Sequence, residues 1–187
     1  MGTPSDRSVL LVGVMVVILN AADLLSTYLA SPDLSREWNV LHRELNLGWA
    51  GLVGAKVLGG WLAVAGFRHY LRHRDRCYPV PGLAPLEFCH YFMFGDEGAA
   101  RSRRVGGVAP RALVVLGFLW AGMQTVLLWV TADNLLLHYG VVLRTGAYDE
   151  WAYHTMQSVT VALAVLAVMF RVNFRRYVAL GARAAAA

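Results

Sequence analysis

The residues with the most chemistry to offer are those that should not be in lipid. Asn20, Asp23 and Thr27 stand at i, i+3 and i+7 of one apolar run, so they share a helical face, with Ser26 beside them. Lys56 interrupts a second run. In a third, Thr131, Asn134 and His138 share a face and Asp133 flanks them. In a fourth, His154 and Gln157 share a face near the start. Counted along the helices, all of these fall in one half of the layer the runs would build. The other half is expected to be almost wholly apolar.

Three kinds of chemistry fit such a set. The first is a buried ion pair. A charge in hydrocarbon must face protein or water, and the least costly arrangement joins Lys56 to Asp23, Asp133 or both. In that reading the chain is a non-enzymatic membrane scaffold or accessory subunit. The second is a divalent metal such as zinc or iron held by His138, His154, Asp133 and Asp23. A metal-bound water would then serve a hydrolytic or redox enzyme acting on a lipid or other membrane-associated substrate, with Asp133, His138 and His154 catalytic. None of these histidines stands at H-x-x-x-H spacing from another. The carboxylates suit a hard or borderline ion better than haem, which wants an apolar slot. The third is a proton-coupled transporter, which with so few spans would work as a dimer. Lys56, Asn20, Thr27, Asn134 and Gln157 would orient substrate or hold the structure together. Glu37, Asn39 and His42, in the loop after the first run, would stand at the mouth.

One pattern spans the first two runs: Asp23-x-x-Ser26-Thr27, then Glu37-x-Asn39, then Lys56. It resembles an uncharacterised family of small bacterial integral membrane proteins with an Asp, a Ser/Thr-Thr pair, an acid-x-Asn-Pro loop and a Lys in those places. Val40 stands where that family has proline. The resemblance implies that Asp23, Glu37, Asn39 and Lys56 act as a unit. It implies no activity.

The elements that would position these residues follow from hydropathy. Of the 187 residues 57% are hydrophobic and 16% charged, where soluble domains carry charge on about a quarter. Mean hydropathy is +0.47. The apolar residues form four runs, expected as membrane spans over about residues 8–30, 47–70, 112–137 and 151–170. The fold class is all-α, a single four-helix membrane domain. Residues 31–46 and 138–150 would be outer loops and 71–111 a cytoplasmic loop. Within that loop residues 86–94, LEFCHYFMF, are too few to span and are expected to lie in the interface or dock beneath the bundle. Cys89, His90 and Met93 there fit a sticky surface better than a metal site. Cys77 and Cys89 match no zinc or redox spacing.

Charge sets orientation. Arg7, eight arginines between the second and third runs, and four after the fourth lie on one side, thirteen against Arg36, Arg43 and Arg144 on the other. The positive-inside rule then puts both termini in the cytoplasm of a bacterial plasma (inner) membrane. The pI near 9.6 is accounted for by these arginines beside lipid headgroups, and no nucleic-acid partner is expected. Gly51-x-x-Gly54 and the other glycines of the second run permit close helix packing, within the chain or in a homodimer.

Overall fold

The computed structural model describes residues 4–34, 47–79, 81–95, 108–141 and 150–186, with side chains for all but 4–5, 108–111, 150–154, 184 and 186. Six α-helices and one 3-10 turn make up the described chain: α1 Pro4–Ala30, α2 Gly48–His73, the 3-10 turn Arg74–Cys77, α3 Pro85–Phe94, α4 Val108–Met123, α5 Val126–His138 and α6 Glu150–Ala186. Four helical stretches are long and apolar enough to cross a membrane: Asp6–Ala30, Gly48–Cys77, Ala112–His138 and Thr155–Arg183. The fold is therefore an all-α, multi-pass membrane architecture. Its outer surface is correspondingly greasy, with Leu11, Val57, Trp61, Leu128 and Leu163 all exposed.

Neighbours in the bundle are α1 with α2, α1 with α5, α2 with α4, and α4 with α6. Small residues bring two of these pairs close. Gly66 of α2 meets Gly117 of α4 backbone to backbone, and Gly60 of α2 lies under Val16 of α1. Trp120 adds a bond across α2 and α4, its indole N–H donating to the Gly59 carbonyl at 2.9 Å.

The third span is two helices in line. At Gln124–Thr125 the ladder tightens: Thr125 N–H reaches back to Gly122 at 3.0 Å, and Leu127 and Leu128 bond three residues back at 3.1 Å. Such 3-10 bonds mark a break. Thr125 Oγ1 donates to the same Gly122 carbonyl at 2.7 Å, the back-bonding by which threonine bends helices.

The fourth span belongs to α6, which runs from Glu150 to Ala186, well past residue 170. Its apolar run ends at Phe170, but the Arg- and Ala-rich sequence that follows favours helix in water as much as in lipid. At 1.5 Å per residue it is about 55 Å long, almost twice a hydrocarbon core.

A buried hydrophobic core lies at the end where this extension begins. Tyr70, Cys77, Phe88, Phe92, Val114, Val115, Met169 and Tyr177 form one buried cluster. The short helix α3 docks there on Phe88 and Phe92, both fully buried, and leaves Leu86 and Phe94 exposed. Phe88 stacks on Tyr177 at 4.9 Å. Pro85 opens α3, and Glu87 accepts from the Ala84 N–H at 2.9 Å, filling one orphan donor at the helix start. Burial pushes the Cys89 thiol up from its ordinary pKa, which favours the unreactive thiol.

Candidate functional site

The polar groups at the Asp23–Lys56 end of the bundle are brought together by α1, α2 and α5. Residue numbers rise together along α1 and the third span, from Asn20 with Gln124 to Thr27 with Asn134 and Leu29 with His138. The two helices are therefore parallel, and the stripe Thr131, Asn134, His138 faces the stripe Asn20, Asp23, Thr27.

The contacts form a ladder of levels. Deepest, Asn20 Nδ2 donates to Gln124 Oε1 at 3.0 Å and to the Val16 carbonyl at 2.8 Å. One turn above, Lys56 Nζ lies 2.6 Å from Asp23 Oδ2. Asp23 is 3% exposed, whereas the Lys56 side chain keeps 19%. The carboxylate is the trapped partner, and the lysine stem can still shift. Among the described residues, Asp23 Oδ1 and Thr131 Oγ1 are enclosed without a hydrogen-bond partner. Next, Asn134 Nδ2 donates to Thr27 Oγ1 at 3.1 Å and Ser26 Oγ at 3.3 Å. Ser26 Oγ in turn donates to the Asp23 carbonyl at 2.9 Å. At the rim, His138 Nδ1 lies 2.9 Å from the Leu29 carbonyl. A carbonyl only accepts, so Nδ1 carries the proton and a neutral ring keeps Nε2 as its acceptor.

Asp23, Lys56, Asn20, Thr27, Asn134 and His138 are thus assembled. Asp133 is half-buried on α5, five residues from His138. Five helical steps separate the two by about 140° of azimuth, so equal depth does not put them on one face. Gln157 is buried on α6. His154 lies on the same helix with its side chain outside the described set, and Glu37, Asn39 and His42 lie outside the described residues altogether. No group of three His, Cys, Asp or Glu able to hold a metal ion occurs among the described residues.

Sequence reasoning passed over Gln124, whose only signal was a lone amide in an apolar run. It also passed over a second polar cluster at the other end. Asn173, fully buried on α6, accepts at Oδ1 from the hydroxyls of Tyr70 at 3.0 Å and Tyr78 at 2.8 Å, while its Nδ2 donates to Met169 at 2.7 Å. The half of the bundle opposite Asp23 is therefore not wholly apolar. Burial raises the Tyr78 pKa well above its ordinary value, which keeps the hydroxyl a donor. Arg176 clasps Asp75 with two bonds at 2.7 and 2.6 Å. Tyr177 accepts from the Leu83 N–H at 2.9 Å. These bonds tie the loop after α2, and through it α3, onto α6.

Compared with protein-family models, with curated proteins and with solved structures, the chain matches none.

Proposed function

We propose that this chain is a non-enzymatic scaffold or accessory subunit of a bacterial plasma membrane, built around the Asp23–Lys56 pair. The observation that carries the reading is how the outer-half polar groups are used. Lys56 answers Asp23 at 2.6 Å, and Asn20, Asn134 and His138 each bond across to a neighbouring helix. Interhelical polar bonds of this kind hold spans in register.

One observation favours the metal reading. His138 donates through Nδ1 to a backbone carbonyl, the orientation in which metal-bound histidines are held. Against it stands the azimuth of Asp133. Elemental analysis of protein purified without chelator separates the two. The scaffold reading expects no stoichiometric zinc or iron, and a His138→Ala, His154→Ala double variant that folds but melts below the native protein by about one lost hydrogen bond. Stoichiometric metal in the native protein, lost in a folded double variant, would overturn it.

Orientation follows from the arginine distribution, thirteen against three. Reporter fusions after residues 75 and 178 should read cytoplasmic, and one after residue 145 external. A cytoplasmic reading at 145 would reverse the assignment.

A further inference from the structure

The second span ends in a dense run of donors, Arg68, His69, Arg72, His73, Arg74 and Arg76. Helical spacing sorts them. His69, Arg72 and His73 stand at i, i+3 and i+4 of α2 and share a face. The 3-10 turn that follows keeps Arg76 in line with His73, because side chains three apart eclipse in that geometry. Arg74 is drawn elsewhere. Its Nη1 donates to the Tyr70 hydroxyl at 3.3 Å, and its guanidinium lies 5.3 Å from the centre of that ring. Asp75, the acid of this segment, is taken by Arg176. Among the described residues, the ion pairs here run through Arg74 and Arg176, not through Arg72 or Arg76.

What remains is a stripe of two imidazoles and two guanidiniums. The His69 and His73 rings are 4.4 Å apart, centre to centre. His69 Nε2 is enclosed with no hydrogen-bond partner among the described residues, so a ligand arriving from outside meets this ring at Nδ1. Paired histidines at i, i+4 can chelate a metal, but two guanidiniums on the same stripe repel a cation and attract an anion. Guanidinium forks match phosphate oxygens in shape and charge. The stripe also lies at the end of the span Gly48–Cys77, and the ends of spans are where basic side chains meet headgroups.

We propose that His69, Arg72, His73 and Arg76 form a binding site for a phosphate-bearing anion, met in the membrane as the headgroup of an anionic phospholipid. His69 donates through Nδ1 and His73 through a ring N–H, and Arg72 and Arg76 supply the charge. The site is independent of the outer-half ladder and of the scaffold reading.

The test is native mass spectrometry of the full chain in neutral detergent, titrated separately with phosphatidylglycerol, phosphatidylcholine, inorganic phosphate and zinc. Arg72→Gln with Arg76→Gln removes the charge from exposed positions. Arg171→Gln with Arg175→Gln removes the same charge from exposed positions on α6 and serves as the control. Thermal melting without lipid checks that both variants fold, and His69→Gln with His73→Gln tests the imidazoles. The native chain should prefer phosphatidylglycerol to phosphatidylcholine by about tenfold. The Arg72, Arg76 pair should lose most of that preference, the control should keep it, and the histidine pair should weaken it. Binding of inorganic phosphate that vanishes in the same variants identifies the free anion as sufficient. Binding of phosphatidylglycerol alone identifies the lipid, and either result supports the site. Equal loss in the Arg72, Arg76 pair and the control would overturn it, as diffuse surface charge. Zinc binding that depends on His69 and His73, with no preference between the lipids, would overturn it too.

Discussion

Gly117→Leu is expected to part the second and third spans. A Cβ at Gly117 would fall on the Gly66 carbonyl, so the backbones of α2 and α4 touch there with no side chain between them. A flexible side chain could turn aside, but backbone in the middle of a helix cannot. Overpacking a tight interior costs about 1–3 kcal/mol, and a backbone clash belongs at the upper end or beyond. Unfolding in a denaturing-detergent titration measures the loss. Two comparisons give the result its meaning. At Gly54 nothing among the described residues lies within 4 Å of the place a Cβ would take, so Gly54→Leu should stay within about 0.5 kcal/mol of the native protein. A Cβ at Gly122 would meet the Val165 side chain, which has some freedom to move, so Gly122→Ala should fall between. If Gly117→Leu unfolds with the native protein, α2 and α4 do not meet at this point.

Lys56→Met should destabilise the chain by about 3–5 kcal/mol, the usual consequence of leaving a buried charge without its partner. The reason lies in the unequal burial of the pair. Asp23 is 3% exposed and has no second cation bonded to it among the described residues. Asp23→Asn should be milder, because the stranded lysine is on a long stem that can reach toward the interface. The informative variant is Asp23→Leu with Lys56→Met. Replacing a buried pair with apolar side chains of similar size is often neutral or stabilising, so the double variant should recover most of the loss. A double variant as unstable as Lys56→Met alone would show that the two charges do not act as an isolated pair. Under the scaffold reading the recovered double variant also keeps its role in the membrane. A site that uses Asp23 chemically would be folded and inactive.

The spans were legible because lipid imposes a simple rule on composition. So was the Asp23–Lys56 pair, since two charges at similar depth in neighbouring apolar runs have few other places to go. Asn134 and His138 were readable as a stripe, and that stripe does face α1. Depth alone says less than depth and azimuth together, as Asp133 shows. The break at Gln124–Thr125 left little trace, because no proline marks it and its cause is a threonine hydroxyl bonding its own backbone. Asn173 was hidden by hydropathy, which falls after Phe170 while the helix continues. His69 and His73 do have H-x-x-x-H spacing, but they lie at the end of the bundle opposite the one that drew attention. Neither the bond from Asn20 to Gln124 nor the convergence of Tyr70 and Tyr78 on Asn173 can be read from spacing, because each joins residues about a hundred positions apart.

The interruption of the third span divides its loyalties. Below it, α4 is locked to α2 at Gly66 and packs along α6. Above it, α5 is bonded to α1 through Asn134 and His138. The span changes partners near its midpoint, where its own ladder tightens to 3-10 bonds. A continuous helix would transmit any tilt of one end to the other as a rigid rod does. This one is two shorter rods, one holding the polar rungs above and the other the glycine contact below.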